Sequence, residues 1–259
     1  MAHIRTQITT SWDDGHPADA RLADLLLKHG FGATFYVPCR NREGRDVLSR
    51  SRLRTIAERF EIGSHTLDHV RLTGLSTAEV RRQVLVGKAE LEQALGKRVL
   101  GFCYPGGGHN RWISQIVREA DFAYARTSTN LAIARGASPF HMPTTIQFYP
   151  HSRDVYVRNF VRFRSWGDRY AAFRVAIAAS GARDRTLRLA ELAIDQGHYF
   201  HLWGHSWELE ALDLWGELDQ TLRGLAALFA PPDRHGNLSC FEPQENDHAA
   251  PGASRSHHR

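Results

Sequence analysis

The strongest constraint on the fold of this 259-residue chain is a regular alternation of short apolar segments with longer amphipathic ones. The short segments are rich in β-branched and aromatic residues and are predicted to be strands, whereas the longer ones have helical periodicity. The predicted strands cover residues 4–11, 32–37, 61–64, 99–103, 122–127, 140–148 and 199–203. Strands separated by helices pair in parallel, so the pattern favours an α/β fold of the (β/α) barrel type. A doubly wound open sheet is the alternative, although no Gly-x-Gly-x-x-Gly follows the first strand.

Signals at the ends of helices support this division of the chain. Ser76 and Glu79 have the spacing of a capping box, which predicts a long helix that ends at Gly96. Pro, Gly, Ser, Asn and His dominate the last part of the chain, a composition that does not form a packed core. We therefore expect a single domain over residues 1–230 and a mobile tail over residues 231–259.

Composition argues against several classes of protein. No segment reaches the ~18 apolar residues of a membrane span, and the first residues lack the apolar core of a secretory signal, so we expect a cytoplasmic protein. The 33 basic and 28 acidic residues give a net charge of +5 without a long basic run, which predicts no nucleic-acid partner. Cys39, Cys103 and Cys240 form an odd, widely spaced set that fits neither a CxxC zinc or redox site nor a disulfide framework, so we expect them to be reduced. Nothing in the sequence indicates an oligomeric state.

The candidate site residues lie where five of the predicted strands end. They are Asp13, Asp14, His65, His69, Tyr104, Pro105, Arg126 and His205. In a β/α barrel the carboxyl ends of all the strands meet at one mouth, so residues ~200 positions apart in the chain can form one site. The sequence therefore predicts an active site at this end of the barrel.

Two His-x-x-x-His pairs are candidates for metal binding. His201 and His205 lie on or beside a predicted strand, where residues four apart are ~13 Å from each other and cannot chelate one ion. His65 and His69 lie where a strand passes into a loop, a geometry that can bring two imidazoles to one metal. Thr66 stands where a HExxH peptidase has Glu, which disfavours that class. Two ordinary surface histidines are the alternative interpretation.

Two adjacent aspartates directly after a buried strand are costly unless a cation pairs with them. Asp14 is the natural third ligand with His65 and His69, and such a set leaves positions open for water and substrate. Asp13 would then act as a general base on a water molecule. The alternative is a structural turn in which the two carboxylates only begin the first helix.

These motifs resemble those of the polysaccharide deacetylase family, the NodB-homology group also called carbohydrate esterase family 4. Residues 11–15 (SWDDG) are similar to its first motif, Thr-Phe-Asp-Asp-Gly, and residues 65–69 (HTLDH) to its second. Residues 104–107 (YPGG) resemble a variant of its third motif, and the order and spacing match over roughly residues 4–230. The resemblance implies a distorted (β/α)7 barrel that hydrolyses N-acetyl groups on amino sugars.

The resemblance also implies roles for individual residues. The base would be Asp13, and the ligands of one divalent ion, with zinc expected, would be Asp14, His65 and His69. The backbone amide of Tyr104 would help to bind the oxyanion, with Pro105 beside it in the substrate site. His205 would supply the acid of the family's last motif, with His201 as the less favoured alternative.

The sequence departs from the family's pattern in two places. The third motif often carries an arginine that pairs with the base; this chain has Cys103 in that neighbourhood, and Arg126 is the candidate to replace the arginine. No clear copy of the family's Asp-x-x-Asp-Trp motif is present, and residues 165–168 (SWGD) resemble it only faintly. Trp203 and Trp207 flank the last motif and are candidates to stack on a sugar ring, with core packing as the alternative.

The expected reaction is removal of acetyl from an N-acetylated amino-sugar unit of a glycan or glycan precursor. Arginines interleave with aromatic residues in the segment 148–174, which could contact the phosphate of a nucleotide-linked or lipid-linked sugar or could simply form a solvated helix face. Two other functions stay open. One is hydrolysis of a non-sugar linear or cyclic amide on the same barrel, and the other is an inactive carbohydrate-binding or regulatory barrel.

Overall fold

The structure, a computed structural model, describes residues 6–162, 166–196, 199–231 and 234–241. Strands and helices alternate along this part of the chain, as predicted. The strands are β1 (Gln7–Asp13), β2 (Thr34–Val37), β3 (Glu61–Ser64), β4 (Gly101–Cys103), β5 (Tyr124–Arg126), β6 (Ile146–Gln147), β7 (Tyr199–His205) and β8 (Arg234–His235). The helices are α1 (Asp19–Lys28), α2 (Arg50–Ala57), α3 (Thr77–Arg81), α4 (Gly87–Leu95), α5 (Arg111–Glu119), α6 (Arg153–Arg162), α7 (Trp166–Ala178), α8 (Ala182–Asp195), α9 (Ser206–Ala211) and α10 (Trp215–Leu228). None of these helices is long and apolar enough to cross a membrane.

The strands form one parallel sheet in the order β5-β4-β3-β2-β1-β7-β6, with β8 added beside the beginning of β1. β1 lies at the centre, where Asp13 stands opposite Tyr36 of β2 and His205 of β7. The outermost strands β5 and β6 are joined by residues 127–145, and Met142 of that segment pairs with Arg126. The sheet therefore curls into the expected distorted (β/α)7 barrel rather than a doubly wound open sheet.

Strand boundaries differ from the predicted ones in ways that affect the site. β1 runs on to Asp13 and β7 runs on to His205, so both residues belong to strand ends rather than to loops. The sixth strand, predicted over residues 140–148, is only two residues long. Pro143 has no N–H to donate to a strand ladder, and Pro139 begins a short 3-10 turn instead.

The long helix predicted from the capping box has the expected ends. The hydroxyl of Ser76 accepts a hydrogen bond from the amide of Glu79 at 3.3 Å, and the helix ends before Gly96. Between α3 and α4 the chain makes a π-helical turn, Arg82–Val86. The carboxylate of Glu79 does not complete the capping box, because it accepts hydrogen bonds from Arg82 and Gln83.

Arg82 and Gln83 also fix the loop that carries the two candidate metal-binding histidines. Their side chains donate to Oδ2 of Asp68 at 2.8 and 2.7 Å, and Oε1 of Gln83 accepts from the amide of Asp68 at 3.0 Å. Asp68 is buried and lies between His65 and His69 in sequence. The π-helical turn therefore holds this loop against the barrel.

Residues 234–241 pack against the amino-terminal end of the barrel, so the predicted mobile tail is wrong for this segment. β8 pairs with the first half of β1, and Asn237 is fully buried. The side-chain amide of Asn237 donates to the hydroxyl of Tyr36 at 2.9 Å, and its backbone amide donates to Thr34 Oγ1 at 2.8 Å. Polar composition suggested disorder, but the backbone and side-chain amides of Asn237 both donate hydrogen bonds inside the barrel. Residues 242–259 lie outside the described part of the chain.

We expect Asn237→Ala to lower the free energy of unfolding by about 1–3 kcal/mol, because it leaves the buried Tyr36 hydroxyl without its donor. Urea denaturation of the metal-free protein measures this change. Asn159→Ala, at a half-buried position of α6, is the matched control and should change stability by less than about 0.5 kcal/mol. Equal effects of the two substitutions would mean that the carboxyl-terminal segment does not stabilise the barrel.

Candidate active site

Five strands, β1, β3, β4, β5 and β7, end around an open cleft of about 220 Å³. All the side chains that the sequence predicted for the site line this cleft. They are Asp13, Asp14, His65, His69, Tyr104, Pro105, Arg126, Trp203, His205 and Trp207. The lining also contains Gly106 and Gly107 of the YPGG motif, and it is completed by four residues that the sequence did not indicate: Glu43, Arg45, Arg71 and Ser128. The convergence of distant strand ends at one mouth is thus observed.

None of the described residues in the segment 148–174 is among those that line the cleft. The segment forms α6 and α7, and Val161, Trp166 and Tyr170 are exposed on these helices. Of the two interpretations offered by the sequence, the solvated helix face fits this arrangement and the substrate wall does not. Ser165, the first residue of the faint SWGD motif, lies outside the described residues.

A strained turn after β1 presents Asp14 to the cleft. Asp14 has a φ of 80°, a left-handed conformation that is uncommon for any residue other than glycine. The next residue, Gly15, also has a positive φ, and a β-carbon there would lie 2.6 Å from Cγ1 of Val37. Only glycine fits at this position, which explains the third residue of the Asp-Asp-Gly motif. Thr66 and His69 are left-handed as well, so unusual backbone is concentrated at the site.

Asp14, His65 and His69 form a compact set of three potential ligands. Oδ1 of Asp14 lies 2.9 Å from Nε2 of His69 and 3.6 Å from Nε2 of His65. One ligand atom from each residue lies within 4.8 Å of the other two. Oδ1 of Asp14 is buried and accepts no hydrogen bond of good geometry, which is the environment of an oxygen that binds a cation. Two imidazole nitrogens and one carboxylate fit a zinc-type ion with open positions.

A hydrogen bond fixes the tautomer of His65 in the form that can bind a metal. Its Nδ1 lies 2.9 Å from the carbonyl oxygen of Cys103, and since a carbonyl can only accept, Nδ1 carries the proton. Nε2 therefore presents its lone pair towards Asp14. Burial lowers the pKa of His65 to about 4, so the ring is neutral at physiological pH. A neutral imidazole is the form that metals bind.

Charge and hydrogen bonds keep Asp14 ionised. Burial opposes the charged form, but contact with His69 and the proximity of His205 and His65 outweigh it and hold the pKa of Asp14 far below its usual range. The indole N–H of Trp207 donates to Oδ2 of Asp14 at 2.8 Å. The pKa of His69 changes in the opposite direction. Burial alone would lower it, but the contact with the Asp14 carboxylate outweighs burial and raises the pKa of the ring.

The predicted contact between Arg126 and the candidate base is present. Arg126 is buried at the end of β5, and its Nη2 donates to both oxygens of Asp13. The guanidinium also lies over the ring of Trp203, 4.8 Å from its centroid. Cys103 occupies the neighbourhood in which the family's third motif often has arginine, and its sulfur lies 3.7 Å from Oδ2 of Asp13. An arginine from another strand therefore pairs with the carboxylate here.

His205 lies beside the candidate metal ligands at the end of β7, the strand next to β1. Its Nε2 lies 4.0 Å from Oδ2 of Asp14, and its Nδ1 lies 2.8 Å from Oε2 of Glu208. Gln147 also donates to Oε2 of Glu208, at 3.0 Å, and so fixes the carboxylate. Burial disfavours the charged imidazole, but the contact with Glu208 and the charge of Asp14 outweigh it, so the pKa of His205 is raised. A raised pKa favours the protonated form of this ring, which is the form that an acid requires.

His201 does not serve as the alternative acid. It is fully buried inside the barrel, where Nδ1 lies 2.7 Å from the hydroxyl of Thr9 and Nε2 lies 2.9 Å from that of Ser11. Burial holds the pKa of His201 well below its usual range, so the ring stays neutral. Its role is to fill and hydrogen-bond the polar interior of the barrel.

The oxyanion role predicted for Tyr104 requires a correction. The backbone amide of Tyr104 donates to the carbonyl oxygen of Arg126 at 3.1 Å, as part of the pairing that continues from β4 and β5. This N–H is therefore already satisfied and does not point to a substrate oxygen. The Tyr104 hydroxyl is buried against Ser114 and the carbonyl oxygen of Phe140. Tyr104 and Pro105 line the cleft as its wall.

The two tryptophans line the cleft, but their rings already have protein partners. Trp203 lies beneath Arg126 and meets His205 edge-on, with ring centroids 5.4 Å apart. One face of Trp207 is covered by the guanidinium of Arg45 at 4.0 Å. Packing, which was the alternative to sugar stacking, therefore accounts for most of their contacts.

Glu208 is the main functional residue that the sequence interpretation missed. It follows His205 by three residues at the beginning of α9, and residues three apart on a helical turn face each other. That spacing could have identified the pair. Gln147 had no comparable signal, because its contact with Glu208 joins positions 61 residues apart.

We expect Glu208→Gln to lower kcat/KM near pH 8 by about tenfold, since a positioned acid contributes about 10²–10⁴-fold and part of this would be lost. Glu208 raises the pKa of His205, and an acid is lost as pH rises through its pKa, so the alkaline limb of the pH profile should move to lower pH. Glu210→Gln, at an exposed position of the same helix, is the matched control. An unmoved alkaline limb in Glu208→Gln would exclude this role.

Part of this sequence is similar to known proteins. A family model described as polysaccharide deacetylase matches residues 3–125. The matched part, just under half of the chain, is similar to the polysaccharide deacetylase family. The matched part includes Asp13, Asp14, His65 and His69 but ends before Arg126 and His205, whose placement comes from the structure.

The chain is 28% identical over 120 residues to the peptidoglycan-N-acetylglucosamine deacetylase PgdA of Listeria monocytogenes. The alignment covers 45% of this chain and 25% of the relative, so the chain matches about a quarter of the length of PgdA.

Solved structures of carbohydrate esterase family 4 have the same fold. The domain of a multidomain xylanase from a Trinervitermes trinervoides hindgut metagenome has a TM-score of 0.52 at 16% identity, with 86% of this chain and 85% of that one covered. A pseudoenzyme of the family from Bacillus anthracis has a TM-score of 0.53 at 15% identity, with 90% and 64% covered. At these identities the similarity shows the fold alone.

Proposed function

We propose that the protein is a metal-dependent hydrolase that removes acetyl from an N-acetylated amino-sugar unit. The observation that carries this proposal is the placement of a spare carboxylate, Asp13, directly beside the set of Asp14, His65 and His69. A metal site alone would fit many functions. A second carboxylate, Asp13, at the cation site and a histidine acid, His205, on the neighbouring strand fit hydrolysis of an amide.

Each residue then has one task in the reaction. Asp13 accepts a proton from the attacking water, and Arg126, which donates to both oxygens of Asp13, holds the carboxylate in place. His205 donates a proton to the nitrogen as the C–N bond breaks, so that acetate and a free amine are formed. Glu208 orients the imidazole for this transfer. When bound, a divalent ion polarises the acetyl carbonyl and lowers the pKa of the attacking water.

The cofactor in this proposal is one divalent ion, and zinc is the metal we favour. Proteins of this family generally use a divalent metal. The residues that would hold it are Asp14, His65 and His69, a set of nitrogen and oxygen ligands that suits zinc and leaves positions open for reactants. The indole N–H of Trp207 would orient Asp14, and the carbonyl oxygen of Cys103 would orient His65.

The substrate in this proposal is a carbohydrate with an N-acetylglucosamine-type unit. The family match supports a sugar polymer, and the name of the Listeria monocytogenes relative supports N-acetylglucosamine. The contact between Arg126 and Asp13 favours an active enzyme over an inactive binding barrel. It gives the candidate base the arginine partner that the third motif of this chain lacks. The cytoplasmic location stays a prediction.

Turnover by the zinc-loaded protein, measured as acetate release from N-acetylated sugars and as amide hydrolysis of allantoin-like compounds, tests the proposal. The panel contains chitooligosaccharides, other N-acetylhexosamine glycans and allantoin-like amides, each measured with and without chelator. We expect release from an N-acetylated sugar that stops when the metal is removed and returns when it is restored. Turnover of the allantoin-like amides alone would favour the non-sugar hydrolase, and no turnover with any substrate would favour the binding barrel.

A further inference from the structure

Arg71 is a cation at the rim of the catalytic cleft that has no carboxylate partner among the described residues. It lies two residues after His69, its side chain is exposed, and it lines the cleft together with the turn at Gly106 and Gly107.

The three carboxylates that line the cleft are engaged elsewhere. Asp13 is paired with Arg126, and Asp14 is in contact with His69 and Trp207. Glu43 is paired with Arg45. Arg71 is thus the arginine of the lining that stays free for a group brought by the substrate.

Arg45, a half-buried arginine of the lining, is held differently. Besides its contact with Glu43, its guanidinium lies flat against the ring of Trp207 at 4.0 Å. Arg45 therefore completes the wall behind Asp14. Its charge is neutralised locally, whereas that of Arg71 is not.

The position of Arg71 is defined by the turn beside it. A β-carbon at Gly106 would lie 2.9 Å from Nε of Arg71, so the guanidinium stem rests directly on a residue without a side chain. The hydroxyl of Ser128 donates to the carbonyl oxygen of Gly106 at 3.4 Å and supports the turn from the other side. This packing keeps the exposed side chain of Arg71 at the edge of the cleft.

We propose that Arg71 binds an anionic substituent of the substrate, a carboxylate or a phosphate, on the sugar unit that is deacetylated or on its neighbour. A guanidinium binds both groups in the same planar geometry, so the shared chemistry is an oxyanion. This inference rests on the proposed function. It narrows the substrate class from neutral N-acetylated glycans to N-acetylated glycans that carry acid groups.

Three matched oligosaccharides test the assignment: a neutral chitooligosaccharide, one carrying a lactyl carboxylate and one carrying a 6-phosphate. For the zinc-loaded wild type we expect kcat/KM to be at least about tenfold higher with one of the anionic substrates than with the neutral one. Arg71→Gln should lose this preference through a higher KM, with kcat and neutral-substrate turnover within about twofold. Added NaCl should raise the KM for the anionic substrate in the wild type and not in the variant.

Arg158→Gln, at an exposed position of α6 away from the cleft, is the matched control and should behave as the wild type. Equal kcat/KM for neutral and anionic substrates in the wild type, or an equal loss with both in Arg71→Gln, would overturn the inference while leaving the deacetylase function intact. Absence of acetate release from all three substrates would instead contradict the proposed function. Preference for the carboxylate or for the phosphate identifies which oxyanion the cleft accepts.

Discussion

Asp13→Asn is expected to lower acetate release by about 10²–10⁴-fold, the range that a positioned acid or base contributes to an enzyme. The amide has nearly the same shape as the carboxylate but cannot accept the proton of the attacking water. Zinc content should stay at the wild-type level, because Asp13 is not in the set formed by Asp14, His65 and His69. The combination of a retained metal and lost turnover is what distinguishes a base from a ligand.

The same substitution removes the partner of a buried arginine, and this must be separated from the effect on catalysis. Arg126 loses its only carboxylate among the described residues, which should also lower the thermal stability. Acetate release is therefore measured well below the melting temperature of the variant. Asp24→Asn, an exposed position on α1, is the matched control and should leave turnover unchanged. Turnover of Asp13→Asn within about threefold of wild type would exclude Asp13 as the base.

The double substitution His65→Ala, His69→Ala is expected to abolish metal binding and turnover together. Zinc affinity should fall by more than about 100-fold, since even the loss of an outer partner of a ligand costs about 10–100-fold. Elemental analysis after dialysis should show about one zinc per wild-type chain and almost none in the variant. Asp14 would remain as a single ligand of the set, which cannot retain the ion.

A second pair of histidines provides the control for this experiment. The rings of His109 and His141 lie 4.7 Å apart, outside the cleft and without a carboxylate in the cluster. The substitution His109→Ala, His141→Ala should leave zinc content unchanged. Loss of zinc from this control, or retention of zinc by the variant lacking His65 and His69, would place the metal elsewhere.

The architecture was predictable because hydrophobic periodicity and helix ends are local properties of the sequence. The Ser76 cap and the end before Gly96 are examples that the structure confirms. The assembly of the site followed from topology, since parallel strands around one barrel bring Asp13, His65 and His205 to the same rim. Local pattern and topology together were sufficient to name most of the residues that line the cleft, but not Glu43, Arg45, Arg71 or Ser128.

Other features depend on tertiary contacts that a sequence does not display. The amide of Tyr104 looked available in the motif, but pairing with Arg126 in the neighbouring strand occupies it. The end of the chain looked like a tail because it is polar, yet Asn237 finds partners on Tyr36 and Thr34 across about 200 positions of sequence. Burial of satisfied polar groups and hydrogen bonds between distant strands have no periodic signature.

The most direct test of the account is an anomalous-difference map from crystals of the zinc-loaded protein, recorded on both sides of the zinc absorption edge. We predict one strong peak in the cleft, within bonding distance of a carboxylate oxygen of Asp14 and of Nε2 of both His65 and His69, with Asp13 free of the ion and in contact with Arg126. A peak bound by other residues, or Asp14 turned away from the two imidazoles in a zinc-soaked crystal without a peak, would contradict the account.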